Sequence, residues 1–348
     1  MNWGLSMGVS PREPLRKVQE IATAAERHGF DALWFIDFQL GMKDVYAAMY
    51  LAALSSDSLQ IGPAVTNLVT RHPTVTANAI SALDELSDGR AMLGLGAGWS
   101  AVYGAGGKPS TVADLRQGIS ELRELMSGEE ADLYGTRVQL KAATRQVPVY
   151  LAVSQPGMLR LAGEVADGAI LMGAADADVC SWQLAYIYEG LERAGRSREE
   201  LTIDLVVTMS IDEDDERALS DVRAWATSQA ATMDVWRNVP PVLERFKSEF
   251  VEAASTYHLV DHLSLHAEHK SVVSDDFVRT VAVAGTLDSC IERLRSLLSL
   301  DVDRITFALL SGGRMRRLEE IAEQVVPRAD ESIIGTVAAR PYRGAIHE

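Results

Sequence analysis

The chain has 348 residues, of which 47% are hydrophobic and 24% charged, a composition typical of globular proteins. Its 33 basic and 49 acidic residues give a net charge of −16, and because no lysine and arginine cluster offsets this charge, we expect no nucleic-acid partner. No apolar run reaches the roughly 18 residues of a membrane span, and the first residues lack the basic-then-apolar order of a signal peptide. Two cysteines, Cys180 and Cys290, are too few for a disulfide framework or a structural zinc site. The sequence therefore predicts a cytoplasmic protein that binds a small molecule and neither a membrane nor a nucleic acid.

Strand-like and helix-like segments alternate along the chain. Short apolar runs predict eight strands, at residues 3–8, 32–36, 59–65, 91–96, 147–153, 168–173, 201–210 and 304–310. Apolar residues at helical spacing predict helices at residues 14–28, 45–54, 74–86, 113–126, 157–165, 176–194, 213–231, 286–299 and 314–325. A small hairpin is predicted over residues 131–141. Apolar strands that alternate with helices indicate a parallel sheet covered on both faces, and eight such units predict an α/β fold of the (β/α)8 TIM-barrel type.

The predicted barrel has one large insertion. Residues 232–283 are too many for a loop, so we expect a helical insertion before the eighth strand. Residues 1–327 would then form a single barrel domain, followed by a polar C-terminal tail over residues 328–348. Four histidines of the insertion have the spacing of residues on one face of a helix. Since no other metal-ligand pattern accompanies them, we expect these histidines to form a wall over the barrel mouth and no metal site. These are His258, His262, His266 and His269.

Polar and small residues follow several predicted strands, which is where the chemistry of such barrels lies. Asp37 directly follows the second strand, where a carboxylate orients a cofactor, moves protons or caps the next helix. We expect it to be solvated at the mouth of the empty barrel. The GLGAG run at residues 94–98 lacks the third glycine of a dinucleotide fingerprint, but its glycines let a flat ligand approach the backbone closely. Ser154 and Gln155 precede a predicted helix whose first N–H groups can hold a phosphate.

Two longer stretches are characteristic of a known superfamily. They read IGPAVTNLVTRHPTVTANAISALDELSDGRAMLGLGAG and VPVYLAVSQPGMLRLAGEVADGAI, and with them the chain resembles the luciferase-like flavin and deazaflavin oxidoreductases. Within that superfamily it is most similar to the methylene-tetrahydromethanopterin reductase branch, whose members use the deazaflavin coenzyme F420. The resemblance implies a TIM barrel that holds the cofactor ring at its C-terminal mouth. It also implies a non-prolyl cis peptide bond between Ala64 and Val65, which forms a bulge against the back of the ring.

The resemblance further implies which residues hold the cofactor. Residues after the third and fourth strands would line the edge of the ring or its side chain, and backbone N–H groups after the fifth strand would hold the phosphate. Together with Asp37 and Val153, which lie at strand ends, the predicted cofactor-binding set comprises Ala64, Val65, Thr66, Asn67, Gly96, Ala97, Gly98, Trp99, Ser154 and Gln155. The basic residues Lys43, Arg71 and Arg90 would have to hold the polyanionic tail of F420.

The sequence departs from the characterised relatives where they carry acid–base groups. Ser6 stands where the methylene-tetrahydromethanopterin reductases have a glutamate, and Asp37 is followed by Phe38 where many members have histidine. Trp99 stands where the related sugar-phosphate dehydrogenases have a glutamate, and residues 307–309 where they have a histidine. We therefore expect neither of those two substrates, and the aromatic replacements favour an apolar one.

Taken together, these features predict an F420-dependent oxidoreductase of the luciferase-like type. It would transfer a hydride between the reduced deazaflavin and a polarised C=C or C=N bond of a small, apolar organic substrate, while the protein supplies orientation and a proton. The candidate catalytic residues are Asp37, Ser6 and Tyr103, with the histidines of the insertion as a further source of protons. Two alternatives stay open, because fold does not fix function: an FMN-dependent monooxygenase, and a non-catalytic homologue that binds a flavin or another ligand. We also expect a homodimer.

Overall fold

The structure, a computed structural model, describes residues 1–143, 145–256, 272–309 and 313–330. The four histidines of the predicted insertion and residues 331–348 of the predicted tail lie outside these ranges. None of the helices in the described ranges is long and apolar enough to cross a bilayer.

Within the described ranges, eight parallel strands form the barrel. The strands are β1 (Asn2–Met7), β2 (Ala32–Phe35), β3 (Gln60–Pro63), β4 (Leu93–Leu95), β5 (Glu130–Leu133), β6 (Thr136–Gln139), β7 (Val149–Val153), β8 (Gly168–Leu171), β9 (Thr202–Ile211), β10 (Val283–Gly285) and β11 (Arg304–Ala308). The barrel strands pair in the order β3-β2-β1-β11-β9-β8-β7-β4, and parallel bridges from Ile61 to Ala91 and from Thr66 to Leu95 join β3 to β4. The predicted (β/α)8 TIM barrel is therefore confirmed, and the predicted hairpin is the antiparallel pair of β5 and β6.

Helices surround the barrel, and at the N-terminus of many of them a side chain caps the first turn. Asp44, Thr111 and Asp214 each accept a hydrogen bond from a backbone N–H of the first turn, which satisfies a donor that has no partner within the helix. The helices are α1 (Lys17–Arg27), α2 (Val45–Ala53), α3 (Pro73–Leu86), α4 (Ser100–Gly104), α5 (Val112–Met126), α6 (Pro156–Val165), α7 (Ala177–Ala194), α8 (Asp215–Met233), α9 (Lys247–Thr256), α10 (Asp275–Val281), α11 (Leu287–Leu298), α12 (Arg314–Glu320) and α13 (Val326–Ala329). Short 3₁₀ turns at Arg198–Glu200 and Pro241–Phe246 and a π turn at Ile321–Val325 accompany them.

Two short elements differ from the sequence prediction. Val283, which the sequence placed at the end of the helical insertion, begins strand β10. This strand pairs in parallel with the end of β9, where Val283 lies opposite Met209 and Gly285 opposite Ile211. Helix α4 follows β4 in a stretch for which the sequence predicted no element. Both elements are too short to produce a hydrophobic period.

The barrel interior contains a layer of large and polar side chains, which we call the barrel floor (Trp34, Tyr150, Asp204 and Arg304). The Trp34 indole N–H donates to Asp204 Oδ2 at 2.9 Å, and Arg304 forms an ion pair with the same oxygen at 3.3 Å. Trp34 meets the Tyr150 ring edge-on, with 5.3 Å between the ring centroids. Gly168 makes room for this ring, since a Cβ at that position would lie 2.1 Å from it. Burial raises the pKa of Asp204, against the opposing effect of Arg304. The lower part of the barrel is therefore a packed core and not a pore.

Candidate active site

A cavity of about 290 Å³ lies at the carboxyl ends of the barrel strands. Small residues on the strands or directly after them form part of its inner face, among them Ala64, Gly96, Ala152 and Ala308, together with larger aliphatic side chains such as Val65, Met172 and Val206. The cavity lies above the barrel floor, because Ala152 follows Tyr150 on strand β7 and the side chains that line the cavity come later along each strand. A broad apolar face at the mouth of an α/β barrel is where such folds hold ligands.

Most of the residues predicted for the site line this cavity. The peptide bond between Ala64 and Val65 is cis, as the resemblance implied. The predicted residues in the cavity wall are Ser6, Asp37, Ala64, Val65, Asn67, Gly96, Ala97, Gly98, Trp99, Val153 and Ser154. Thr66, Tyr103 and Gln155 were also predicted for the site but do not line the cavity, and each makes a contact described below.

Asp37 is buried, although we expected it to be solvated. Its carboxylate is only 4% exposed and forms an ion pair with Arg71, whose Nε lies 3.1 Å from Oδ2. Thr66, fully buried behind the cavity wall, donates its hydroxyl to the same carboxylate oxygen at 2.7 Å. Asp37 is thus held by two partners from the loop after β3, 29 and 34 residues along the chain.

Arg71 is itself held by several groups. Its guanidinium lies 5.0 Å from the centre of the Tyr46 ring and 3.5 Å from Asp44. Burial tends to lower the pKa of Arg71, but the hydrogen bond and negative charge of Asp37 outweigh it, so the pKa is raised. Burial also raises the pKa of Tyr46. Asp37 and Arg71 therefore form a fixed charged pair at the edge of the cavity.

Tyr103 does not line the cavity. The side chain is 44% exposed, and its ring meets Trp99 edge-on with 4.9 Å between the centroids. Since Trp99 does line the cavity, Tyr103 lies behind it and supports the indole. The structure therefore gives Tyr103 a packing contact with Trp99 and no place in the cavity lining.

Gln155 connects two segments at the mouth. Its side-chain amide donates to the Asn238 carbonyl at 2.9 Å and accepts from the Asn238 N–H at 3.3 Å. Gln155 is also the N-cap residue of α6, and with its amide engaged elsewhere it does not cap that helix. Among the described residues, no side chain binds the first-turn N–H groups of α6 at the mouth of the barrel.

The three basic residues expected to hold the acidic tail of the cofactor do not all lie at the same end of the barrel. Arg90 donates to the carbonyl oxygens of Ser56 and Leu59 at 2.8 and 2.6 Å, and it precedes β4, at the amino ends of the strands. It therefore lies at the end of the barrel opposite the cavity, and the expectation for Arg90 was wrong. Arg71 is paired with Asp37, whereas Lys43, in the loop between β2 and α2, forms no ion pair within the described residues.

Residues on the last strand divide between the two sides of the barrel wall. Phe307 stacks on Trp3, with 5.7 Å between centroids, and Leu309 is fully buried in the core between sheet and helices. Ala308, between them, lines the cavity. The position that faces a ligand on this strand is therefore occupied by a methyl group, which has no acid–base function.

Sequence reasoning missed the outer wall of the cavity. Helix α8 and the residues after it contribute Trp225, Gln229, Thr232 and Trp236, which we call the α8 wall. Their spacings of four, three and four residues place them on one face of a helix, so a signal was present in the sequence. It was missed because two of the four positions fell in the predicted barrel helix and two in the predicted insertion.

An α/β barrel with an apolar cavity at the carboxyl ends of its strands has the architecture of a small-molecule enzyme. A model of the luciferase-like monooxygenase family matches residues 2–304. The chain belongs to this family.

Two curated proteins and two solved structures show the range of its relatives. The chain is 31% identical over 306 residues to a 5,10-methylenetetrahydromethanopterin reductase of Methanolobus tindarius, a match that covers 85% of this chain and 90% of the relative. It is 28% identical over 333 residues to an F420-dependent glucose-6-phosphate dehydrogenase of Nakamurella multipartita, with coverages of 90% and 92%.

Among solved structures, the F420-dependent tetrahydromethanopterin reductase of Methanopyrus kandleri superposes with a TM-score of 0.77 at 21% identity, covering 95% of this chain and 100% of that one. The FMN-bound oxygenating constituent of a diketocamphane monooxygenase from Pseudomonas putida superposes with a TM-score of 0.65 at 17% identity, with coverages of 94% and 98%. At these identities the two structures establish the fold alone.

Proposed function

We propose that this protein is an F420-dependent reductase that transfers a hydride from the reduced deazaflavin to a polarised C=C or C=N bond of a small, apolar organic substrate. The observation that supports the proposal most strongly is the cavity itself, whose apolar inner face, with small residues such as Ala64, Gly96 and Ala152, suits a flat ring system. Curated relatives that span most of the chain are named as F420-dependent or as methylenetetrahydromethanopterin reductases.

The residues present fit a deazaflavin with a phosphate-bearing side chain. Ala64, Ala97 and Ala152 leave a broad apolar surface against which a planar ring can lie. Ser154 lines the cavity next to the N-terminus of α6, which no described side chain caps, and there the first N–H groups and the helix dipole favour a phosphate. Lys43 supplies a positive charge near the mouth for an acidic tail. When bound, the reduced cofactor would supply the hydride.

The protein's own residues would position the reactants and deliver a proton. The Asp37–Arg71 pair is fixed by Thr66 and Tyr46, which suits a positioning role at the edge of the ring better than proton transfer. Of the three candidate catalytic residues, Ser6 lines the inner face, beside Ala308 in the strand register. We assign Ser6 the relay of a proton from solvent, since a hydroxyl both donates and accepts a hydrogen bond.

The substrate is proposed to differ from those of the named relatives. Among the described residues that line the cavity, Asp37 alone carries a charge, and it is already paired with Arg71. A phosphate or carboxylate on the substrate would lose its hydration there without gaining a counter-charge, which is costly. This favours a neutral, apolar substrate over a sugar phosphate or methylenetetrahydromethanopterin.

Titration calorimetry with F420 and with FMN tests the proposal, together with an oxygen electrode during turnover. We expect F420 to bind more tightly than FMN and hydride transfer to proceed without oxygen consumption. Ser6→Ala should lower the turnover rate while leaving the affinity for F420 unchanged.

The second candidate is an FMN-dependent monooxygenase, which the luciferase-like family match favours. Tight FMN binding with no F420 binding would establish that reading in place of ours. Binding of neither cofactor would support the non-catalytic alternative.

A further inference from the structure

The α8 wall differs in chemistry from the inner face of the cavity that it covers. The inner face is formed mainly by aliphatic side chains and backbone, with the hydroxyls of Ser6 and Thr208 among them, whereas the wall presents two indoles, a hydroxyl and an amide: Trp225, Trp236, Thr232 and Gln229. All four side chains are partly buried. If the inner face receives the cofactor ring, as in the proposed function, the wall is a surface of the described residues that is left to contact the substrate.

The wall is held firmly in place from both sides. Upstream, Arg223 donates to the Val273 carbonyl at 2.8 Å and forms an ion pair with Asp275. Downstream, the Gln155 amide binds both the N–H and the carbonyl of Asn238, two residues after Trp236. A wall fixed at both ends can impose a shape on a ligand, because little conformational freedom remains to be lost on binding.

Within the wall, Gln229 carries a polar group that can both donate to a ligand and accept from it. The Thr232 hydroxyl already donates to the Ser228 carbonyl at 2.9 Å, and the two indoles offer only N–H donors. The Gln229 amide makes no hydrogen bond to any residue of the described ranges, and its oxygen lies next to Gly173, where an added Cβ would be 2.9 Å from it. An amide in a cavity lined mainly by apolar groups gains most from a ligand that supplies the matching polar atom.

We propose that the α8 wall selects a planar, aromatic α,β-unsaturated carbonyl compound. The aromatic ring would lie against Trp225 and Trp236, and the carbonyl oxygen would accept a hydrogen bond from the Gln229 amide. This inference rests on the proposed function and specifies its substrate class.

The arrangement also matches the chemistry of hydride acceptance. Addition of a hydride to the β-carbon breaks the C=C π bond and moves an electron pair towards the carbonyl oxygen, where an N–H donor stabilises the developing charge. A proton from solvent then adds at the α-carbon, and the reduced deazaflavin is oxidised by two electrons. Gln229 would therefore contribute both to binding and to the rate.

Three probes separate the contributions of the ring and the carbonyl group. Benzylideneacetone has both, heptylideneacetone has the same enone on a flexible alkyl chain, and β-methylstyrene has the ring without the carbonyl. Their affinities are measured by calorimetry with oxidised F420 bound, so that no turnover occurs, and again without cofactor. The variants are Gln229→Ala and Trp225→Leu, with Ser220→Ala on the exposed side of α8 and Trp182→Phe, outside the cavity, as controls.

We expect benzylideneacetone to bind most tightly to the unchanged protein. Gln229→Ala should weaken both enones about 5- to 10-fold, as loss of one hydrogen bond predicts, and leave β-methylstyrene unaffected. Trp225→Leu should weaken the two ring compounds about 3- to 10-fold and heptylideneacetone less. Neither control should change any affinity.

The outcomes separate the inference from the proposed function. If F420 binds but Gln229→Ala leaves the enones unchanged, or if the alkyl enone binds as well as the aromatic one, the assignment of the wall is wrong. If F420 does not bind, the proposed function fails. The cofactor-free titrations then still decide whether the wall recognises an aromatic enone.

Discussion

Replacing Asp37 with alanine should lower the stability of the folded protein as well as its affinity for the cofactor. The change removes the acceptor of the Thr66 hydroxyl, which is fully buried, and an unsatisfied buried donor costs about 1–3 kcal/mol. It also removes the main partner of Arg71. This second loss is smaller, about 1 kcal/mol, because Arg71 is 20% exposed and keeps its contacts with Asp44 and Tyr46. We therefore expect the free energy of unfolding to fall by about 2–4 kcal/mol.

Asp37→Asn removes the negative charge of the side chain but keeps an oxygen that can accept a hydrogen bond. The amide oxygen can still accept from Thr66, so the free energy of unfolding should fall by only about 1 kcal/mol, while the affinity for F420 falls further. Chemical denaturation measures the first quantity and calorimetric titration the second.

Asp84→Asn provides the matched control. Asp84 is also 4% exposed and is paired with an arginine, Arg145, at 2.6 Å, but it lies near the amino end of β4, away from the cavity. It should lose similar stability without loss of cofactor affinity. An Asp37→Ala variant as stable as the unchanged protein would refute the burial reasoning, and equal losses of affinity in the two asparagine variants would refute a local role for Asp37.

Two further changes test the cavity and the buried thiols. Ala64→Leu should abolish F420 binding in titrations. It should lower the free energy of unfolding by only about 1–3 kcal/mol, because the added atoms enter a cavity. Normal F420 binding by this variant would show that the cofactor ring lies elsewhere. Burial raises the pKa of Cys180 to about 12 and that of Cys290 to about 11, so little reactive thiolate forms. Near neutral pH, neither cysteine of the native protein should react with dithiobis(nitrobenzoate), whereas both should react once the protein is unfolded. Labelling of the native protein would contradict the burial of the two thiols.

The barrel could be predicted because its strands are apolar throughout and are separated by helices with clear periodicity. The predicted strands match the observed ones to within a few residues at each end, which is the usual uncertainty of element boundaries. Elements such as β10, three residues long, depend on pairing with β9 and have no local signature. Their position follows from the packing of the whole chain.

The candidate site was predictable only where it depends on strand ends. Asp37, Ser6 and Trp99 follow or belong to strands and lie at the cavity, whereas the partners that define their environment come from distant parts of the chain. The pairing of Asp37 with Arg71, the support of Trp99 by Tyr103 and the bond between Gln155 and Asn238 are all tertiary contacts. No sequence period reports such contacts, so Asp37 was wrongly expected to be solvated.

Strand β9 extends to Ile211, and β10 pairs with its last residues, so the two strands frame the start and the return of the chain that carries the α8 wall. The chain leaves the barrel rim after Ile211 and is back at Val283, and the Asp212 N–H donates to the Gly285 carbonyl at 3.1 Å. The α8 wall lies between these two points, whereas the barrel floor lies on β2, β7, β9 and β11. Substitutions in the α8 wall can therefore change the outer surface of the cavity while the barrel floor and the buried face of α8 keep their residues.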